Sequence, residues 1–151
     1  MNSSADNLLG QYFQKLPEAL LKFQFIEELL RMYIVYCYQI ISLRIPKQIP
    51  FKYKYKDLQK DALGTLLGKF KKFTNNALLI GKIESIIKDR NYCAHEAYLF
   101  TYAQQNDSLY LAAEIGKIDT IITKAEDCRQ FLSEELKQLE LIKNSINESK
   151  T

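Results

Sequence analysis

The pattern of hydrophobic and polar positions is helical over most of this chain. In its last third, apolar residues recur every three or four positions, which places them on one face of an α-helix. These residues are Ile118, Ile122, Ala125, Cys128, Leu132, Leu136, Leu139, Ile142 and Ile146. We therefore predict that a polar turn at Gln104–Ser108 is followed by a long amphipathic helix that runs to about Asn147. The tail, residues 148–151, is expected to fray.

The first third of the chain predicts two helices separated at Pro17. A short amphipathic helix is expected from about Ala5 to Leu16, and Pro17 suits the first turn of the next helix, which runs to about Leu43. Apolar residues cover most faces of this second helix, which is typical of a helix at the centre of a bundle or in a subunit interface. Its longest apolar stretch, Met32–Leu43, is shorter than the roughly 20 residues that a membrane span needs. We therefore expect no membrane association.

Two more helices are expected between these segments. A third helix is predicted from about Asp57 to Phe73, and Thr74 or Asn75 is the expected N-cap of a fourth that continues to about Ala103. The chain has only five Gly and three Pro in 151 residues, so turns are few and elements are long. Together these features predict an all-α, single-domain antiparallel bundle of four to five helices that spans residues 1–151.

The cysteine and histidine content limits the chemistry that the chain can carry. Cys37, Cys93 and Cys128 are widely spaced and form no C-x-x-C pair, which favours a reducing compartment over a disulfide framework. A single histidine leaves no zinc-binding pattern, so we expect no metal and no cofactor. The stretch Met1–Asn7 has no basic patch before an apolar run, so we expect no secretory signal. A cytoplasmic location follows.

Positive charge is concentrated in the middle of the chain. The net charge is +3, but residues 44–72 contain nine Lys or Arg and two Asp, which leaves −4 for the remainder. Pro46 and Pro50 are expected to end the second helix and hold an extended loop. This loop carries the alternating residues Lys52, Tyr53, Lys54, Tyr55 and Lys56. In one interpretation the lysines follow an RNA backbone while the tyrosines stack on bases. In the other, the loop is simply solvated and its tyrosines pack inward.

The candidate chemistry lies between Arg90 and His95. A guanidinium can hold a phosphate through two parallel hydrogen bonds, and an imidazole can transfer a proton near neutral pH. Asn91 can orient the imidazole or bind a phosphate oxygen. On a regular helix Asn91 and His95 share a face, but Arg90 and His95 are about 140° apart. The two therefore meet at one phosphate only if the helix is distorted or begins here, or if a second subunit completes the site.

The stretch Arg90-Asn91-Tyr92-Cys93-Ala94-His95 resembles the signature of the HEPN superfamily, an Arg followed by a polar residue and then by His after four to six residues. The resemblance implies a metal-independent endoribonuclease in which the 2′-hydroxyl of RNA is the nucleophile. It also implies a homodimer whose motifs face each other across a cleft, which would supply two histidines. Toxins and phage-defence effectors are the implied roles, with RNA as substrate and a cognate antitoxin protein as a possible partner.

The residues after the motif modify this picture. The stretch is also similar to the pattern of one HEPN subgroup that is linked to antitoxins, Arg-x4-His-x-Tyr. In this chain, however, Ala97 occupies the tyrosine position and Tyr98 follows it. Regulation by modification of that tyrosine is therefore not expected, and Tyr98 is retained only as a supporting residue. Glu96 is a second supporting residue, which in one interpretation tunes the imidazole or pairs with a basic side chain and in the other is an ordinary exposed glutamate on the helix.

Two other functions remain open on the sequence. The chain is alternatively a non-catalytic HEPN-like module that binds a partner protein or a nucleotide, since HEPN domains without cleavage activity exist. A third interpretation is a structural helical bundle in which Arg90 and His95 have no catalytic or binding role. A neighbouring antitoxin gene, or cleavage of RNA in the presence of EDTA, would favour the ribonuclease.

Overall fold

The computed structural model describes residues 3–150 and shows an all-α fold. The described residues form no strand and six helices: α1 Ser3–Arg44, α2 Tyr55–Gln59, α3 Leu63–Phe70, α4 Ala77–His95, α5 Tyr102–Gln105 and α6 Ser108–Glu148. The all-α prediction is confirmed. The count exceeds the predicted four to five because α2 and α5 are one-turn elements. Glu148, the first residue of the tail that is predicted to fray, is the last residue of α6. Thr151 lies outside the described residues, as do Met1 and Asn2.

The three long helices alternate in direction. Lys15 pairs with Asp119 and Lys22 with Glu126, so α1 and α6 run parallel along their length. α4 runs antiparallel to α6, since Lys82 pairs with Asp127 and the later Asp89 pairs with the earlier Lys124. α1 contacts each of the other five helices, which confirms the central position that its apolar surface predicted.

The core lies between α1, α3, α4 and α6. The amphipathic stripe of α6 is confirmed at Ile118, Ala125, Cys128, Leu132, Leu136 and Ile146, which are buried, and at Ile122 and Leu139, which pack against the core. Ile142 is the exception and is 51% exposed. Cys37, Cys93 and Cys128 are buried free thiols. Among the helices of residues 3–150, none combines the length and the apolar character that crossing a membrane requires.

α1 continues through Pro17, so the predicted boundary between two helices is wrong. Pro17 has no amide N–H to donate to the carbonyl of Phe13, four residues before it. Both residues are exposed, and water can reach the carbonyl that is left without this bond. Leu16 and Ala19, on another side of the helix, are fully buried. Packing of this face against the rest of the bundle outweighs the lost hydrogen bond.

The predicted third helix, Asp57–Phe73, is interrupted at residues 60–62. Arg31 of α1 donates from Nε to the carbonyl oxygen of Leu58 at 3.0 Å and from Nη2 to that of Asp61 at 3.2 Å. Leu58 and Leu63, on either side of the break, are buried in the core. The break therefore depends on a side chain of another helix, which no local pattern reveals.

Candidate functional site

The three motif residues lie on the last two turns of α4. The helix begins after Asn76, whose side-chain oxygen accepts a hydrogen bond from the Leu79 amide, and it ends at His95. Asn91 and His95 are exposed and Arg90 is half-buried. Arg90 Nη1 donates to Asn91 Oδ1 at 3.4 Å. The side chain of His95 makes no hydrogen bond or ion pair within residues 3–150, and the residue is exposed at the helix end.

A single chain leaves Arg90 and His95 on different faces of α4. Arg90 follows Ile86 by four residues and precedes Cys93 by three, and both of these are buried. Its stem therefore starts from the core side of the helix. His95 projects about 140° away, since the segment is α-helical through His95. Neither a distorted helix nor a helix start brings the two onto one face within the chain.

Asp89, just before the motif, and Tyr92, within it, attach the end of α4 to α6. Lys124 Nζ pairs with Asp89 Oδ2 at 2.7 Å, and the Tyr92 hydroxyl donates to Glu114 Oε2 at 2.8 Å. Lys117 Nζ lies 3.7 Å from the centre of the Tyr92 ring. Burial, followed by the bond to Glu114, raises the pKa of Tyr92 well above its ordinary value. These contacts hold the helix in one orientation while Asn91 and His95 face water.

The turn after His95 is fixed by Tyr12. The amides of Glu96 and Ala97 both donate to the carbonyl of Tyr92, at 2.9 and 3.0 Å, and this ends the helix. The Tyr12 hydroxyl, on α1, donates to the carbonyl of Ala97 at 2.7 Å. Burial raises the pKa of Tyr12 to about 12. The prediction that this helix continues to Ala103 is therefore wrong, and Tyr12 is a site-supporting residue that sequence reasoning missed because it lies 85 positions away.

The two supporting residues take different places. Glu96 is exposed at the C-cap of α4, and its side chain makes no ion pair within the described part of the chain. Tyr98 stacks on Phe13, with ring centroids 6.3 Å apart and planes 14° apart. It therefore belongs to an aromatic cluster beyond the helix end, where Phe13 and Tyr110 also pack against Phe100.

The two tyrosines of the basic segment have different environments, since Tyr53 is half-buried and Tyr55 is 37% exposed. Tyr53 packs on Tyr38 of α1 with ring centroids 5.3 Å apart, and the Tyr55 hydroxyl donates to Glu28 Oε1 at 2.6 Å. Residues 51–54 lie outside any helix, Lys54 is extended, and Tyr55 begins α2. The lysines of the segment are exposed; they are Lys52, Lys54 and Lys56. They present positive charge to solvent beside the partly exposed rings of Phe51, Tyr53 and Tyr55.

The basic segment and the motif lie at different levels of the bundle. The segment packs on α1 at Glu28 and Tyr38, whereas the turn after the motif packs on α1 at Tyr12. A rise of 1.5 Å per residue puts these positions roughly 25–40 Å apart along the helix. Within one chain the structure does not bring the lysines and His95 together.

No protein-family model, curated protein or solved structure matches this chain. Within residues 3–150 no group of three or more His, Cys, Asp or Glu side chains is placed to hold a metal ion. What the chain does must therefore be inferred from its own residues.

Proposed function

We propose that this chain is a metal-independent endoribonuclease of HEPN type that acts as a two-fold homodimer. The observation that carries the proposal is the arrangement at the end of α4. Arg90, Asn91 and His95 sit in HEPN-like spacing with the amide and the imidazole open to solvent. Asp89 and Tyr92 are tied to α6, and Cys93 is buried in the core. A rigid helix end that presents these groups is suited to binding and cleaving a phosphodiester.

The chemistry needs no nucleophile from the protein. The 2′-hydroxyl oxygen of RNA attacks the adjacent phosphorus and forms a bond to it, while the bond from phosphorus to the 5′-oxygen breaks. A neutral imidazole of His95 takes the proton of the 2′-hydroxyl, and an imidazolium gives a proton to the leaving 5′-oxygen. Arg90 holds the non-bridging oxygens as negative charge builds up. The products are a 2′,3′-cyclic phosphate and a free 5′-hydroxyl.

A second subunit supplies what one chain lacks. One histidine cannot serve as base and acid on opposite sides of the same phosphate within one turnover. A two-fold axis beside the end of α4 would bring a second His95 to the cleft and would pair the Arg90 of one copy with the His95 of the other. The biological role that fits is an RNA-cleaving toxin or phage-defence effector of the cytoplasm, which a cognate antitoxin protein would hold in check.

The test is cleavage of total RNA by the purified chain in excess EDTA. Wild-type protein is expected to cut, and His95→Ala is expected to lower the rate by roughly 10²–10⁴-fold or more. Arg90→Ala should be strongly impaired and Asn91→Ala less so. Glu84→Gln is the matched control and should leave the rate unchanged. Glu84 is exposed on the face of α4 that carries His95, about three turns earlier.

The same experiment also compares RNA with two substrates that lack a free 2′-hydroxyl. DNA and RNA methylated at the 2′-oxygen should resist cleavage, since neither carries the nucleophile. Equal cleavage of DNA, or wild-type activity in His95→Ala, would rule out these roles. The same surface would then be better explained as that of a non-catalytic module that binds a partner protein or a nucleotide.

A further inference from the structure

The face of α4 that carries His95 also carries a lysine without a partner. Lys88 precedes His95 by seven residues, so the two side chains leave the helix about 20° apart and roughly 10 Å apart along its axis. Lys88 is exposed and makes no ion pair or cation–π contact within residues 3–150. The other lysines of α1, α4 and α6 each have an acidic or an aromatic partner. The ammonium group of Lys88 is therefore free to bind an anion from outside the chain.

The acidic residues nearest to Lys88 on α4 bind other lysines. Glu84, four residues before Lys88, is in the favourable position for an i,i+4 ion pair. Its carboxylate binds Lys71 Nζ instead, at a distance of 2.6 Å. Asp89 binds Lys124 of α6 at 2.7 Å. A phosphate that approaches Lys88 therefore meets a positive charge that no carboxylate of α4 neutralises.

A groove between α4 and α6 adjoins Lys88, one turn nearer the start of α4. Its volume is about 370 Å³, which is within the range of small-molecule sites. The charged side chains in its lining, Lys82, Lys124 and Asp127, are all in ion pairs. The groove itself therefore offers no free charge, and a neutral group fits it better than a phosphate does.

The rest of the lining provides space, an apolar wall and a free hydroxyl. A Cβ atom added to Gly81 would have no neighbour within 4 Å outside its own stretch of backbone. Leu78 is 63% exposed and forms part of the wall. The hydroxyl of Ser85 makes no hydrogen bond within the described part of the chain. An apolar wall with a single hydrogen-bonding group suits a nucleobase or a ribose.

We propose that Lys88 and this groove form a second nucleotide-binding position for the RNA strand that is cleaved at His95. The inference rests on the function proposed above. The separation of roughly 10 Å along α4 corresponds to two or three nucleotides at about 3.4 Å of rise each. Lys88 holds the phosphate at that distance, and the groove accepts the base or ribose attached to it, with Ser85 as a hydrogen-bond partner. The substrate is therefore an oligoribonucleotide that continues about two or three nucleotides beyond the cleaved bond, towards the start of α4.

The test is the dissociation constant of the full chain for a hexaribonucleotide that is methylated at every 2′-oxygen, measured by fluorescence anisotropy in EDTA. This probe lacks the nucleophile, so binding is measured apart from cleavage. Lys88→Gln should raise the constant roughly tenfold or more, because a charge-assisted hydrogen bond to phosphate is lost. It should also lower the slope of log affinity against log salt by about 0.7. Lys137→Gln removes the same charge from an exposed side chain of α6 and should leave both quantities nearly unchanged.

Gly81→Leu tests the groove without a change of charge. The added side chain fills the space beside Gly81 and should raise the dissociation constant by roughly fivefold or more, because the base or ribose loses its place. Gly81→Ala is the control at the same position. Both substitutions raise helix propensity, but alanine adds only one methyl group and should bind the probe nearly as the wild type does. Circular dichroism checks that every variant folds.

The outcomes separate this position from the chemistry. If the wild type cuts RNA but either Lys88→Gln or Gly81→Leu binds the probe as tightly as the wild type, the second position is overturned and the ribonuclease proposal stands. If the wild type cuts no RNA but binds the probe through both residues, the position stands and the ribonuclease proposal fails. Adenosine monophosphate should bind far more weakly than the hexanucleotide. Equal affinity for the two would overturn the extended substrate, since the groove would then be a site for a free nucleotide.

Discussion

The hydroxyl of Tyr12 donates a 2.7 Å hydrogen bond to the carbonyl oxygen of Ala97, two residues after His95. Tyr12 is fully buried, so this bond joins the first helix to the turn that ends α4 from inside the core. The bond holds the backbone at the point where α4 ends, and it sets the direction of the chain after His95.

Tyr12→Phe is expected to lower the free energy of unfolding by about 1–2 kcal/mol, because the carbonyl of Ala97 would remain buried without its partner. The chain has one histidine, so the NMR spectrum contains a single imidazole Cε1 proton resonance that reports on His95. That resonance should shift in the variant. Tyr38→Phe, in the distant half of α1, is the control and should leave it in place. An unmoved resonance in Tyr12→Phe would mean that the bond does not position His95.

Arg31→Met should destabilise the α2–α3 segment. The substitution removes both hydrogen bonds to the carbonyls of Leu58 and Asp61 and should cost about 2 kcal/mol. Hydrogen exchange of amides in residues 55–62 should become faster than in the remainder of the core. The comparison is Lys137→Met, which breaks a 4.0 Å surface pair with Glu134 and should cost less than about 0.5 kcal/mol. Equal effects of the two variants would exclude a clamping role for Arg31.

Alkaline pH should destabilise the fold. Burial raises the pKa of Cys37 and Cys128 from 9.0 to about 12 and that of Tyr33 from 10.0 to about 12. Above pH 9 the unfolded chain loses these protons while the folded chain keeps them, so stability falls as pH rises from 9 towards 12. Thermal midpoints followed by circular dichroism across this range measure the decline. Cys128→Ala should flatten it, and a midpoint that is constant across the range would contradict the prediction.

Mixing wild-type chains with His95→Ala chains should lower cleavage more than dilution alone if one cleft uses the histidines of both subunits. A mixed dimer keeps a single His95, which cannot act as base and acid in one turnover, so it is expected to be inactive. In an equal mixture, random exchange of subunits leaves about a quarter of the dimers fully wild type, and the rate per total chain should fall to roughly a quarter of wild type. A rate of about half, in a mixture that demonstrably contains mixed dimers, would mean that each chain cleaves RNA without the histidine of its partner.

Replacing Lys52, Lys54 and Lys56 with Gln tests the basic segment. If these exposed side chains contact an RNA backbone, the slope of log affinity against log salt should fall by about 2, at about 0.7 per phosphate contact. The free energy of unfolding should hardly change. Tyr53→Leu should leave the slope unchanged, because Tyr53 packs on Tyr38. An unaltered slope in the lysine variant would mean that these side chains do not contact the RNA backbone.

Local pattern was enough to predict the helical class, the long last helix and the position of the motif on a helix. Ile118, Ala125 and Leu132 recur with the helical period, and that period is a property of the backbone that needs no partner. The catalytic roles of Arg90 and His95 stay a prediction that rests on their functional groups and their spacing. The inward or outward packing of Tyr53 and Tyr55 stayed open, because an isolated segment does not reveal which helix it will lie against.

Only the tertiary structure decided where helices end and which side chains meet. The break before Leu63 depends on Arg31, at least 27 positions from the carbonyls it binds, and the end of α4 depends on Tyr12, 85 positions from Ala97. The continuation through Pro17 depends on the face that α1 buries. In each case a contact between distant residues outweighs the local preference of the chain. Burial of apolar side chains and a hydrogen bond to a buried carbonyl contribute more to the free energy of folding than the helix propensity of a single residue. The exposure of Leu99 and Tyr102 beyond His95 has the same origin, since exposure is defined only once the rest of the chain has packed.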